Sequence, residues 1–88
     1  MKLTIEKALQ EGMAAHNEGK LQDAERLYRF VLKSHPKHPD ANHNLGLLAV
    51  LENRTDIALP FFRAALEAHP KEGKYWVSYI DALIKEQQ

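Results

Sequence analysis

The strongest constraint on the fold is that the chain repeats itself, with a period of about 34 residues. When the sequence is displaced by one period, which we call the repeat shift, identical residues coincide along most of two consecutive units. The coinciding residues are Gly12, Ala15, Glu18, Ala24, Arg29, Leu32 and His35-Pro36-Lys37 with Gly46, Ala49, Glu52, Ala58, Arg63, Leu66 and His69-Pro70-Lys71. A unit of this length holds about two helices and is too small to close a core alone, so it must stack on a neighbouring unit.

The composition fits one ordinary domain and argues against several classes of protein. The chain has 88 residues, of which 44% are hydrophobic, and this permits one modest core. Lys plus Arg and Asp plus Glu both number 12, so no net charge attracts nucleic acid or an anionic membrane. Cysteine is absent, which excludes disulfides and thiolate metal sites. No apolar run reaches the roughly 20 residues of a membrane span or resembles a signal segment, and we expect a cytoplasmic protein.

The apolar pattern predicts five helices and no strands. Apolar residues recur at three- and four-residue spacing in five segments. Gly19 separates the first two segments, and Thr55 or Asp56 can cap the fourth. Proline disfavours a helical conformation in the residue before it, so the second and fourth helices are predicted to end before Pro36 and Pro70. We therefore predict one all-α domain over residues 1–88, with repeat one at about 5–38, repeat two at about 39–72 and a closing helix at about 73–86.

Small and aromatic residues predict how these helices pack. In each repeat a glycine lies twelve residues before an alanine, so both helices of a hairpin carry little side chain at one level and their backbones can approach closely. An aromatic residue then fills the gap between consecutive hairpins. The residues concerned are Gly12, Ala24 and Tyr28 in repeat one and Gly46, Ala58 and Phe62 in repeat two. In the closing helix we expect Tyr75, Trp76 and Tyr79 to be core residues, because large aromatic side chains at helical spacing are usually buried.

These positions resemble the signature of the tetratricopeptide-repeat (TPR) family. The matching residues are Leu45, Gly46, Ala49, Ala58, Phe62, Ala65 and Pro70 in repeat two and Gly12, Ala15, Gly19, Ala24, Tyr28 and Pro36 in repeat one. The resemblance implies a right-handed α-α superhelix whose concave groove is lined by the first helix of each repeat and binds a peptide or helix of another protein. Ile80 stands where the family usually has glycine or alanine, which implies that the closing helix is not tightly covered by a following helix.

The resemblance also implies which residues face a partner. The candidate partner-binding residues are Gln10, Met13, Asn17, Asp40, His43, Asn44, Leu47, Leu51, Lys74, Ser78 and Asp81. Gln10, Asn44 and Ser78 occupy equivalent positions, and their amides and hydroxyl can bond the backbone of a threaded peptide. Leu47, Val50 and Leu51 supply an apolar floor.

Two groups within the family bear on the identity of the partner. Chaperone-binding members hold a partner's terminal carboxylate with a clamp of lysines, an arginine and asparagines. Asn44 and Lys74 match that clamp, but Leu9, Met13 and Ser78 do not, so we expect no chaperone tail. The Asn44-Leu45-Gly46 and Tyr75-Trp76-x-x-Tyr79 stretches are similar to bacterial TPR modules of O-GlcNAc-transferase-like or sulfotransferase-like proteins.

Patterns typical of catalytic and metal sites are missing from the sequence. It contains no Gly-x-Ser-x-Gly, phosphate-loop or His-Glu-x-x-His motif, and we expect no catalytic residues, no cofactor and no enzymatic activity. His35, His38 and His43 lie close together in the sequence, which raises the question of a metal site. Because His35 and His69 hold equivalent positions before prolines, a role in the turns explains them without a metal.

The leading hypothesis is a protein–protein interaction scaffold, as a module of a larger protein, with a protein or peptide partner, no nucleic acid and no membrane. One alternative is a self-associating module, a homodimer that packs through Ile80 and Leu83 of the closing helix. Another alternative is a domain that positions substrate for a neighbouring glycosyltransferase or sulfotransferase.

Overall fold

The computed structural model describes residues 3–87 and contains five α-helices, with no strand among those residues. The helices are α1 (Ile5–Asn17), α2 (Leu21–Ser34), α3 (Pro39–Leu51), α4 (Thr55–Ala68) and α5 (Gly73–Glu86). The predicted all-α fold is confirmed, with two hairpins, α1–α2 and α3–α4, followed by one more helix. The predicted domain also includes residues 1, 2 and 88, which lie outside the described range.

Local chemistry fixes where the first helix begins and how each hairpin turns. Thr4 Oγ1 accepts a hydrogen bond of 3.1 Å from the backbone N–H of Lys7, which satisfies a donor that has no partner within α1. The turns inside the hairpins contain Gly19 at φ 78° and Asn53 at φ 60°, and both residue types tolerate the left-handed conformation. Gly19 and Asn53 coincide under the repeat shift, so the same turn is built twice.

The core is a row of small clusters that join each helix to the next. α1 packs on α2 and α3 packs on α4 within the hairpins, while α2–α3 and α4–α5 contacts join consecutive units. The cluster that joins α2 to α3 contains Ala24, Tyr28, Leu45 and Leu48. The cluster that joins α4 to α5 contains Ala58, Phe62 and Ala82. The molecule is elongated, with principal extents of 45, 27 and 18 Å, as expected when units stack in one direction.

Each aromatic ring lies directly over the glycine of its own hairpin. A Cβ atom placed on Gly12 would lie 2.6 Å from Cε1 of Tyr28, and one placed on Gly46 would lie even closer to the ring of Phe62. The ring therefore occupies the space opposite the glycine, where the sequence analysis expects two backbones in close approach. The sequence analysis also predicts that the aromatic ring fills the gap between consecutive hairpins. The opposite edge of the Tyr28 ring does this, since Tyr28 also clusters with Leu45 of α3.

A hydrogen bond from a side chain to a proline carbonyl recurs near the start of α3 and α5. Asn42 Nδ2 donates to the carbonyl oxygen of Pro36 over 3.1 Å, and Trp76 Nε1 donates to that of Pro70 over 2.6 Å. Asn42 and Trp76 are equivalent in the repeat. Each bond ties the first turn of a helix to the loop that precedes it.

Trp76 corrects one expectation about the aromatic residues of α5. Tyr75 is buried and Tyr79 is half-buried, but Trp76 is 45% exposed. The prediction of a core position was wrong for Trp76. Its indole N–H finds its partner in the Pro70 carbonyl, so the polar end of the ring is satisfied at the surface.

Gly46→Ala is expected to destabilise the protein by about 1 to 3 kcal/mol, the usual cost of overpacking a filled core. Alanine is normally the better helix former, so the loss must come from the clash of the new methyl group with Phe62, which is 1% exposed and cannot move outward freely. The free energy of unfolding, measured by urea denaturation, checks this. Gly73→Ala is the matched control, because nothing lies within 4 Å of its added Cβ. An alanine at position 46 that leaves stability unchanged or raises it would contradict the ring-over-glycine contact.

Candidate functional site

The odd-numbered helices line the inner side of a curved stack. The backbones of α1 and α3, and those of α3 and α5, approach each other closely, whereas over residues 3–87 the backbones of α2 and α4 do not. Side chains bridge α2 and α4 instead, with the guanidinium of Arg29 5.9 Å from the centre of the Phe61 ring. A stack in which the first helices touch and the second helices diverge bends toward the first helices. We call the surface formed by α1, α3 and α5 the concave face. It is the side on which the sequence analysis predicts a partner.

The predicted partner-binding residues all lie on these three helices, but at different depths. Six of them are exposed: Gln10, Met13, Asn17, Leu51, Lys74 and Asp81. Four are half-buried: Asp40, Asn44, Leu47 and Ser78. His43 is buried, with 7% of its surface exposed. Several of these residues come together in the structure. An ion pair joins Asp40 to Lys74, and a hydrogen bond joins His43 to Ser78. Leu47, Ser78 and Asp81 line one cleft.

A carboxylate on α3 ties α5 to the concave face. Tyr75 Oη donates a hydrogen bond to Asp40 Oδ1, and Lys74 Nζ lies 3.7 Å from the same oxygen. Burial by itself would raise the pKa of Asp40, but the Tyr75 hydrogen bond and the Lys74 charge outweigh it and hold the pKa below its ordinary value. Burial and the hydrogen bond to Asp40 raise the pKa of Tyr75. Asp40 therefore remains ionised and Tyr75 protonated near neutral pH.

His43 joins α3 to both α4 and α5. Its ring centroid lies 5.6 Å from that of Phe62 and 4.8 Å from that of Tyr75, and its Nε2 atom lies 2.7 Å from Ser78 Oγ. Burial, and then the charge of Lys74, lower the pKa of His43. The imidazole is therefore neutral near pH 7. With so little exposed surface, His43 contributes to the concave face mainly by holding α5 in place.

An apolar cleft opens on the concave face between α3 and α5. Its volume is about 190 Å³, and the residues around it are Leu47, Val50, Phe62, Ser78, Asp81, Ala82 and Lys85. The repeat explains the cleft, because the repeat shift pairs Ala82 with Leu48. Leu48 packs in the cluster of Tyr28, whereas Ala82 packs in the cluster of Phe62. Because Ala82 is smaller than Leu48, it leaves a space beside Phe62 that corresponds to the space filled by Leu48 beside Tyr28.

The sequence analysis predicts one side of this cleft but misses its floor. Leu47, Ser78 and Asp81 are among the predicted residues, whereas Phe62 is given only a packing role and Ala82 no role. The signal that could have found the floor is the replacement of leucine by alanine at one position of an otherwise close repeat. A buried aromatic next to that alanine would then have indicated a gap.

Other kinds of site find less support in the described part of the chain. A depression of about 630 Å³ lies between α1 and α2, but none of the predicted partner-binding residues line it. Within residues 3–87, no group of three or more His, Cys, Asp or Glu side chains is arranged to hold a metal ion. Over the same residues, no helix is both long enough and apolar enough to cross a membrane.

Stacked helical hairpins, with an inner face lined by the first helix of each pair, define the class of α-helical repeat proteins. The sequence pattern of the Tetratricopeptide repeat family matches residues 9–84, so the chain belongs to that family, as its resemblance predicts. TPR domains generally mediate protein–protein interactions. The chain is also 32% identical over 69 residues to the cellulose synthase operon protein C of Komagataeibacter xylinus. That match covers 78% of this chain and 5% of the length of the relative.

We expect the stability of the protein to fall as the pH is lowered below the pKa of an unfolded histidine, about 6.5. The pKa of His43 in the folded state is lower than that value, so between the two values the unfolded chain binds more protons, and proton uptake favours unfolding. The stabilisation is fully present above about pH 6.5 and is lost as the pH falls through the range below it. Urea unfolding midpoints measured between about pH 7.5 and pH 5 check this.

The matched variants are His43→Gln and His69→Gln. Glutamine at position 43 cannot titrate, so the dependence of stability on pH should become shallower over this range. His69 is exposed at the end of α4, and its replacement controls for the exchange of histidine for glutamine itself. Equal slopes for the wild type and His43→Gln would show that another group is responsible.

Proposed function

We propose that the chain is a binding module, without catalysis of its own, that holds an extended peptide segment of a partner protein on the concave face. The observation that supports this most directly is the cleft between α3 and α5. It has an apolar floor of Phe62 and Ala82, with Leu47 and Val50 at its wall. Pockets of this kind accept one apolar side chain of a bound peptide and fix its register.

The rim of the cleft supplies charge and polarity. Asp81 and Lys85 lie one helical turn apart on α5 and both line the cleft, so an apolar side chain that enters passes between opposite charges. Such a rim matches the backbone dipoles of a peptide better than it matches a strongly charged ligand. Lys74 is already engaged by Asp40, which leaves Lys85 as the basic group beside the opening.

The polar row of the concave face supports contacts to the backbone of such a peptide. Gln10 is exposed and Asn44 is half-buried, and they occupy equivalent positions on α1 and α3. Ser78, at the same position on α5, shares its hydroxyl with His43. A serine hydroxyl has one donor and two acceptor sites, so Ser78 can form a further hydrogen bond whichever direction the bond to His43 takes, and all three residues stay in the proposed row.

A second proposal is that the module positions substrate within a larger protein. It is supported by the relative named after a cellulose synthase operon, of whose length the chain spans only 5%. In this proposal the concave face holds part of a carbohydrate-related enzyme complex or its substrate. The bacterial origin and the cytoplasmic location expected from the sequence remain predictions.

The double variant Asn44→Ala/Leu47→Ala is expected to weaken peptide binding by about tenfold or more, since loss of a central apolar contact and of a backbone hydrogen bond usually costs at least about 1.4 kcal/mol together. The probes are peptides selected from a random display library on the wild-type protein. Their dissociation constants are measured by isothermal titration calorimetry. NMR chemical-shift changes on binding are expected at Leu47, Val50 and Ser78.

Lys33→Ala serves as the matched control, because Lys33 is exposed on α2 and outside the concave face. It should bind the same peptides as tightly as the wild type. If the selected peptides bind the double variant with unchanged affinity, or shift resonances of α2 and α4 instead, the concave face is not the binding site. A carbohydrate oligomer that produces the expected shifts when no peptide does would favour the second proposal.

A further inference from the structure

One side of α5, adjacent to the face that packs on α4, is apolar and exposed. Trp76, Ile80 and Leu83 follow one another at four- and three-residue spacing and are 45%, 48% and 37% exposed. The buried residues of α5, Tyr75 and Ala82, lie on a different face of the helix. We call Trp76, Ile80 and Leu83 the outer stripe of α5.

The repeat shows what kind of contact this stripe corresponds to. Under the repeat shift, Trp76, Ile80 and Leu83 are equivalent to Asn42, Gly46 and Ala49 of α3 and to Ala8, Gly12 and Ala15 of α1. In both hairpins that stripe is covered by the second helix of the pair. Phe62 of α4 lies over Gly46, and Tyr28 of α2 lies over Gly12. The outer stripe is therefore the surface on which an antiparallel second helix packs in the rest of the molecule.

The shape of the stripe is nevertheless the reverse of that in the hairpins. α1 and α3 offer a hollow at glycine, and the second helix inserts an aromatic ring into it. On α5 the side chain of Ile80 projects where the hollow would be. A helix with tyrosine or phenylalanine at the position of Tyr28 would collide with Ile80, because even a single methyl group at Gly12 would lie within 2.6 Å of the ring. A helix with alanine there would instead receive Ile80.

We propose that the outer stripe of α5 binds an amphipathic helix of a partner protein, antiparallel to α5, that presents alanine-sized residues opposite Ile80 and Trp76. The partner supplies the hollow and this chain supplies the projecting side chains. The contact is separate from the concave face, so it adds a second binding surface to the module.

A second copy of the chain, the occupant that the sequence analysis considers, fits the stripe less well. Its α5 offers Trp76, Ile80 and Leu83 in return, so large side chains meet large side chains and no hollow receives Ile80. A dimer confined to α5 would involve at most the 14 residues of that helix on each side, whereas a stable interface between two folded proteins uses roughly 20 to 30 residues a side. A single docked helix needs only a row of anchors at three- and four-residue spacing, which is what the outer stripe provides.

The chain itself provides matched probes. A peptide with the sequence of residues 21–34 is an antiparallel partner of α1, with Ala24 clustered with Ala15 and Val31 clustered with Ala8. The first probe, called the alanine probe, carries Tyr28→Ala and Val31→Ala. The second, called the tyrosine probe, carries Val31→Ala alone and so keeps Tyr28. Both are stapled on their solvent side, because a helix of this length is only marginally stable in water. Trp76 is the sole tryptophan of the chain, so its fluorescence reports docking on the stripe.

The wild-type protein is expected to bind the alanine probe about tenfold more tightly than the tyrosine probe, with a blue shift of Trp76 fluorescence. Ile80→Gly recreates the hollow, so this preference should disappear or reverse. Ile80→Asp should bind neither probe, whereas Leu51→Asp, which places the same charge on the concave face, should bind both as the wild type does. Circular dichroism establishes that each variant is folded, and the two probes on the wild type alone test the proposal if a variant is not.

Several results would overturn the proposal. Equal affinity of the wild type for the two probes would show that Ile80 does not select the bound helix. Trp76 fluorescence that stays unchanged at millimolar concentrations of probe would show that no helix binds the outer stripe. Sedimentation equilibrium supplies a further test. A wild-type dimer that Ile80→Asp converts to monomer would assign the stripe to a second copy of the chain.

Discussion

An aromatic ring seated over a glycine fixes the distance between the two helices of each hairpin, and the rest of the structure depends on that distance. The ring of Tyr28 or Phe62 is also the contact that reaches the next first helix. One side chain therefore sets both the crossing within a hairpin and the stacking onto the following unit. Because the same contact occurs twice at the same period, the stack bends in a regular way and produces the concave face.

The last helix is held by different means, because no second helix covers it among residues 3–87. α5 packs on α4, and the bonds of Tyr75 to Asp40 and of Ser78 to His43 attach it to α3. Both bonds rely on a defined protonation state, an ionised carboxylate and a neutral imidazole. Polar contacts therefore hold α5 against α3, in addition to the apolar packing that joins α5 to α4.

α5 separates two surfaces of opposite character. On its concave side, Ala82 leaves an apolar cleft beside Phe62, which suits a projecting side chain from a partner. On its other side, Trp76 and Ile80 project, which suits a partner with a hollow. The two proposed binding surfaces, both formed in part by α5, would let the module hold two segments at once.

The sequence by itself determined the five helices, their order, the period and the family, because helical spacing, glycine turns and prolines act over a few residues. The resemblance to the family, and not the spacing of residues, implied which helices form the concave face. Only the tertiary structure decided that His43 is buried, that Trp76 is exposed and that Ala82 opens a cleft. Those outcomes depend on how side chains from distant segments share one volume, and a local pattern carries no information about that fit.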